Sequence, residues 1–149
     1  MERSATIVKE CMDDLGRRCR EAGMNMTPQR MAVYKALLES REHPSPEMLY
    51  RRVRRSMPSL SLATIYKTLD TLEGLGLVRE VAVGSETRRY DANMHQHHHL
   101  VCSSCHKIMD YYDDGLDRLL PSKMAGFVPR EISIRITGVC EPCSRKSKR

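Results

Sequence analysis

The sequence predicts an α+β fold in two parts: a helical head closed by a hairpin, then a smaller unit of mixed strands and helix. Three observations predict it. Four segments of helical periodicity precede residue 75, two short alternating segments flank Gly84-Ser85, and two C-x2-C pairs bracket a helix and a strand. The 149 residues, 40% hydrophobic and 30% charged, suffice for one domain or two small ones with a buried core. No run of about 18 apolar residues occurs, so a transmembrane helix is not expected. The segment MERSATIVKECMDDLGRR mixes acids with bases and has no apolar stretch, so an ordinary signal peptide is not expected either. The expectation is a soluble, cytoplasmic protein. A formal charge of +6 suits a nucleic-acid partner, although part of the excess sits in the terminal run Arg145, Lys146, Lys148 and Arg149.

The elements follow in order. Residues 7–22 place Ile7, Val8, Cys11, Leu15 and Cys19 at helical spacing, with both cysteines read as small apolar fillers. Thr27-Pro28-Gln29-Arg30 starts a second helix, Thr27 as the cap and Pro28 at the first helical position, with Met31, Val33, Tyr34, Leu37 and Leu38 as its apolar stripe. Ser45-Pro46-Glu47 repeats that signal for a third helix, which turns Leu49 and Val53 inward and Arg51, Arg52, Arg54 and Arg55 outward. Ser61 caps a fourth, where Leu62, Ile65, Leu69 and Leu72 mark the buried edge and Gly74 and Gly76 mark the end. Its opposite face carries Ala63, Thr64, Tyr66, Lys67, Thr68 and Thr71. Small hydroxyl side chains with one Lys and one Tyr suit a major groove, where acids would be repelled. Residues 78–83 and 87–90 then form a basic hairpin. Short helices followed by such a hairpin make a winged helix-turn-helix pattern, with the fourth helix in the groove. Ala63, Thr64, Tyr66, Lys67 and Thr68 are the expected groove contacts, and Arg30, Arg88 and Arg89 the expected phosphate contacts.

Chemistry concentrates in the second half. Cys102/Cys105 and Cys140/Cys143 supply four thiolates in two knuckles, the donor set of a closed, structural Zn(II) site. Between them, Asp113-Asp114-Gly115 leads into an expected amphipathic helix with Leu116, Leu119, Leu120 and Met124. Ile132, Ile134 and Ile136 alternate with Ser133, Arg135 and Thr137 as a half-buried strand should. Cys102-Ser-Ser-Cys105-His106 also reads literally as a haem-attachment motif, but that reading leaves the second cysteine pair without a role. Upstream lies His95-Gln-His97-His98-His99. On an extended strand His97 and His99 share a face and His98 points away, while His95 has the parity of the first two and stays open as a ligand. With Asp91 before the cluster and Asp110 after it, imidazole and carboxylate donors without sulfur favour Fe(II), Mn(II) or Zn(II).

In this order, Thr27-Pro28-Gln29-Arg30, His43-Pro44, Ser61 to Tyr66, Arg89-Tyr90-Asp91, His97-His98-His99 and the two C-x2-C pairs, the sequence resembles the ferric uptake regulator (Fur) family over nearly its whole length. The resemblance implies a homodimeric, metal-dependent transcription repressor that binds a palindromic double-stranded operator. It implies a winged-helix domain over 1–90, a hinge with metal ligands over 91–99, and an α/β dimerisation domain over 100–149. It implies structural Zn(II) on Cys102, Cys105, Cys140 and Cys143, and a regulatory Fe(II) or Mn(II) on His43, Asp91, His97, His99 and Asp110. Asp110 with His97 is similar to the peroxide-sensing PerR type, in which Fe(II) and peroxide oxidise a ligand histidine; iron-uptake members usually carry Glu at the position of Asp110. His95 and Asp117 resemble part of an additional site of iron-uptake members, but no histidine follows His106 to complete it. The competing reading within the family is an iron- or zinc-uptake regulator whose signal is metal occupancy. Outside it stand a zinc-dependent hydrolase, for which no general-base motif is evident, and a zinc-ribbon RNA binder. One Phe and no Trp leave the latter few platforms for base stacking.

Overall fold

The computed structural model describes residues 4–81, 88–119, 121, 124–130 and 132–147. The chain divides into two compact units between Met94 and His95, inside the segment expected to be a hinge.

The first unit is built from α1 (Ala5–Glu21), α2 (Pro28–Leu38), α3 (Pro46–Val53), α4 (Leu62–Gly74), β1 (Arg79–Val81) and β2 (Arg89–Asp91). Each helix begins on a hydroxyl. Ser4, Thr27, Ser45 and Ser61 are extended and accept the backbone N–H three residues on, from Ile7, Arg30, Met48 and Thr64, and thereby satisfy one orphan donor per helix. Pro28 and Pro46 occupy first-turn positions, where the missing N–H has no partner to lose. Their apolar stripes meet in one core of Leu15, Val33, Leu38, Leu49, Ile65, Leu69, Leu72 and Tyr90. Cys19 is buried in that core and Cys11 packs against it, as fillers should. The arginines of α3 face outward. Gly76 ends α4 at φ +68°, a backbone conformation that favours glycine. Arg18 reaches across from α1 and donates to Leu75 O at 2.7 Å, meeting an orphan carbonyl at the end of α4. β1 and β2 pair antiparallel with Glu80 opposite Tyr90; the turn expected at Gly84-Ser85 lies outside the described residues.

The second unit holds β3 (His98–Cys102), β4 (Ile108–Tyr111), α5 (Asp114–Asp117), β5 (Arg135–Gly138) and α6 (Glu141–Ser147). Its sheet runs β4-β3-β5, with β3 antiparallel to β4 and parallel to β5. Two expectations are corrected here. The amphipathic helix carrying Leu116, Leu119, Leu120 and Met124 ends at Asp117. Leu119 and Met124 are exposed, and Leu120 is outside the described residues. The reason is Pro121, which disfavours helical backbone at the residue before it and offers no N–H itself. The isoleucine strand also starts later than the alternation suggests, at Arg135. Ile134 N–H donates to His98 Nδ1 (3.3 Å), so it is diverted from a strand ladder to a side chain. Ile136, expected inside, is 42% exposed.

The head's core makes a direct test. Leu69→Ala should lower unfolding free energy by about 2–5 kcal/mol, since it leaves a cavity at a fully buried position. Lys67→Ala, two residues away on the exposed face, should stay within about 0.5 kcal/mol. Denaturant melts of both variants check the assignment of faces on α4.

Candidate metal centres and nucleic-acid face

Cys102 ends β3, Cys105 follows in the turn, Cys140 follows β5, and Cys143 lies on α6. Parallel pairing of β3 with β5, together with Ser103 donating from both N–H and hydroxyl to Gly138 O (2.8 and 3.1 Å), brings the two knuckles face to face. His106, at φ +59°, closes the first knuckle. The four sulfur positions all lie within 4.8 Å of one another, and Cys105 Sγ is 3.6 Å from Cys140 Sγ. A disulfide requires about 2.05 Å, whereas the edge of a tetrahedron with Zn–S bonds of about 2.3 Å is about 3.8 Å. The donor set and its spacing therefore fit Zn(II), and the haem reading falls because Cys102 and Cys105 converge on the other cysteine pair. Cys102 Sγ accepts N–H groups from Cys140 (3.3 Å) and Cys105 (3.5 Å), and these lower its thiol to about 6, which makes it a thiolate at neutral pH.

In the second unit, β3–β4 pairing places His99 opposite Asp110. His97 Nε2 lies 3.0 Å from His99 Nε2 and 3.5 Å from Asp110 Oδ1. His97 Nδ1 is 2.7 Å from His95 O. A carbonyl only accepts, so Nδ1 carries the proton, and in the neutral ring Nε2 is the nitrogen with a lone pair to offer a metal. Metal–nitrogen bonds of about 2.1 Å put ligands at right angles about 3 Å apart and tetrahedral ones about 3.4 Å apart, so the three groups fit a small cation. His98 points the other way. With Nδ1 accepting from Ile134, its Nε2 faces Asp117 Oδ1 at 3.2 Å. Thus His95 serves His97 through its carbonyl, and Asp117 faces His98. Neither contact is evident from the sequence pattern, nor is the Tyr112 ring 5.7 Å from that of His97.

In the head, His43 lies in the loop between α2 and α3, and Asp91 ends β2. Tyr90 N–H donates to Pro44 O (3.1 Å), which pins β2 to that loop and sets His43 Nε2 3.6 Å from Asp91 Oδ2. Both side chains are buried.

On α4, Ala63 and Lys67 are exposed and Thr64 and Tyr66 half-buried. Thr68 is only 5% exposed and lines a cleft of about 130 Å³ together with Thr64, Lys67 and Thr71 of α4 and Thr27, Gln29 and Arg30 at the start of α2. Arg30 donates to Asn25 O at the entrance of α2. Arg88 is exposed, 3.7 Å from Glu80. Arg89 Nη1 donates to His43 O (3.1 Å) and Met48 Sδ (3.2 Å). Glu47, singled out earlier only as part of a helix start, accepts the hydroxyl of Tyr66.

Known proteins resemble this chain in family, sequence and structure. The model of the ferric uptake regulator family matches residues 21–137. The peroxide operon regulator of Bacillus subtilis is 34% identical over 96% of this chain and 97% of its own. The peroxide-responsive repressor PerR of Staphylococcus epidermidis is 34% identical over 85% and 86%. Among solved structures, the Campylobacter jejuni peroxide stress regulator superposes with a TM-score of 0.68 at 34% identity, covering 87% of this chain and 96% of that one. The Helicobacter pylori ferric uptake regulator Fur reaches 0.77 at 21% identity (92% and 93% covered), which speaks for the fold alone.

Cys140 and Cys143 lie beyond the matched residues 21–137, so their role rests on the sulfur geometry and can be tested there. Cys102→Ser should lose the one zinc expected per chain and unfold the second unit, because binding and folding free energy are shared at such sites. Metal analysis and circular dichroism check this; a stably folded, zinc-loaded variant would contradict it.

Proposed function

Because the chain belongs to the ferric uptake regulator family, we propose that it is a metal-dependent, DNA-binding transcriptional repressor of the cytoplasm that senses peroxide through oxidation of a ligand histidine. The observation that carries this reading is the convergence of His97, His99 and Asp110, nitrogen and oxygen donors without sulfur, in a chain whose similar relatives are named for peroxide. Four sulfurs suit a tightly held structural Zn(II). Imidazoles and carboxylates suit Fe(II) or Mn(II), which exchange.

Neither unit alone offers a full ligand set: the head has His43 and Asp91, the second unit His97, His99 and Asp110. The proposal is that both sets close on one ion. Ligands drawn from two units bind only in the arrangement where they meet, so the ion shifts the population toward that arrangement. When bound, Fe(II) supplies the one-electron chemistry by which peroxide adds oxygen to a ligand imidazole, which Mn(II) does not. His97, fixed by the His95 carbonyl, and His99 beside it are the imidazoles held in place for that oxidation, together with His43. Losing a ligand releases the arrangement and with it the DNA.

DNA binding is assigned to α4 through Ala63, Thr64, Tyr66 and Lys67, with Arg30 and Arg88 for phosphates and Arg89 holding the His43 loop. Two copies are needed to read a palindrome. Ile136 and Val139, 42% and 55% exposed on and beside edge strand β5, offer an apolar face for the second copy.

Fluorescence anisotropy with a labelled operator duplex tests the switch. Mn(II) should tighten binding by about 5- to 150-fold over the chelated protein, the usual range of a coupling free energy. His97→Ala should keep the melting profile and lose that dependence. Equal affinity with and without metal in the unmodified protein would end the proposal.

A further inference from the structure

The contact between Tyr66 and Glu47 joins the exposed face of α4 to the first turn of α3. Tyr66 Oη lies 2.7 Å from Glu47 Oε1. The start of α3 fixes the Glu47 backbone: Ser45 caps it, Pro46 occupies a first-turn position, and Glu47 follows. The Tyr66 hydroxyl, then the backbone N–H of Glu47 itself, hold its carboxyl below the usual range, so Glu47 is an anion and can only accept. The hydroxyl of Tyr66 must then be the donor. A phenol has one proton to give, and here it is committed within the protein.

What Tyr66 presents outward is therefore an apolar ring edge and an oxygen that accepts but cannot donate, with a carboxylate behind it. In a major groove, adenine and cytosine offer amino donors to such an oxygen, and thymine offers a methyl group to the ring. Guanine offers two acceptors, O6 and N7, and no donor. We infer that Glu47 is a specificity-determining residue that acts through Tyr66, turning it into an acceptor-only reader that rejects guanine at one operator position. A Tyr66 without this partner is free to swing its proton outward and to donate to guanine. The negative charge of Glu47 lowers affinity for every phosphate backbone alike, so its contribution is to discrimination rather than to binding strength.

The inference rests on the repressor reading, and the test separates the two. The Mn(II)-loaded full chain is first used to select duplexes from a randomised pool. Duplexes substituted at each position of the selected sequence are then titrated with the unmodified protein, Glu47→Ala, Glu47→Gln, Tyr66→Phe, and the Glu47→Ala/Tyr66→Phe double variant. The expected result is one position where guanine weakens the unmodified protein by about five- to tenfold, the low end of what one good base contact gives. Glu47→Ala and Tyr66→Phe should each reduce that penalty to below about twofold, and the double variant should go no further, as expected for residues acting as one unit. Glu47→Gln keeps an acceptor for the hydroxyl, so it should keep the discrimination while binding all duplexes more tightly. If Glu47→Ala strengthens binding to every duplex equally and leaves the selected sequence unchanged, Glu47 is only a surface charge and the inference is overturned. Additive effects in the double variant overturn it as well. If the unmodified protein selects no sequence at all, the repressor reading itself fails, and the inference falls with it.

Discussion

Buried imidazoles brought within a few ångströms of a carboxylate are the constraint on which the rest of this protein depends. Two imidazole nitrogens 3.0 Å apart beside a carboxylate oxygen make a donor set that suits a cation. The surrounding structure exists to hold that arrangement. β3–β4 register sets His99 against Asp110, the His95 carbonyl fixes the tautomer of His97, and His98 is tied away on the other side of the strand. In the head, hydrogen bonds from Tyr90 N–H to Pro44 O and from Arg89 to His43 O hold β2 against the loop that carries His43. These supporting contacts each involve a backbone group, which positions ligands more firmly than flexible side chains would.

The two donor sets divide the work by chemistry. Sulfur ligands, one of them already ionised by N–H donors, hold a borderline-soft ion closely and tie β5 and α6 to β3; that site maintains the unit. Nitrogen and oxygen ligands hold harder, redox-active ions more loosely, which suits a site that must respond. On the proposed reading, ligands drawn from both units turn occupancy into geometry, because a half-set of two or three donors is weak by itself.

Much of this was legible in the sequence because it is local. The hydroxyl-proline helix starts at Thr27-Pro28 and Ser45-Pro46, the Ile65-Leu69-Leu72 stripe, the paired cysteine spacings and the parity of His97 and His99 each depend on a few neighbouring residues. What the sequence left hidden depends on distant partners. Periodicity gave α4 an outward Thr68, but the packing of α4 near Thr27 covers it. Arg89 looks like any wing arginine until the His43 carbonyl and Met48 claim its guanidinium. The helix expected through Leu120 ignored the rule for a residue before proline. The late start of β5 follows from a backbone N–H that bonds to the side chain of His98, 36 residues away in sequence. Glu47 carried a local signal for a helix start, and nothing in its neighbourhood announced the partner 19 residues downstream.

On the proposed reading, the nitrogen and oxygen site converts peroxide into a covalent change on its own ligands. Peptide mass spectrometry after dilute peroxide, on protein loaded with Fe(II) and separately with Mn(II), tests it most directly. A single added oxygen is expected on a peptide carrying His43, His97 or His99, in the iron form only. Unmodified histidine peptides in both forms would contradict it and leave metal occupancy itself as the signal.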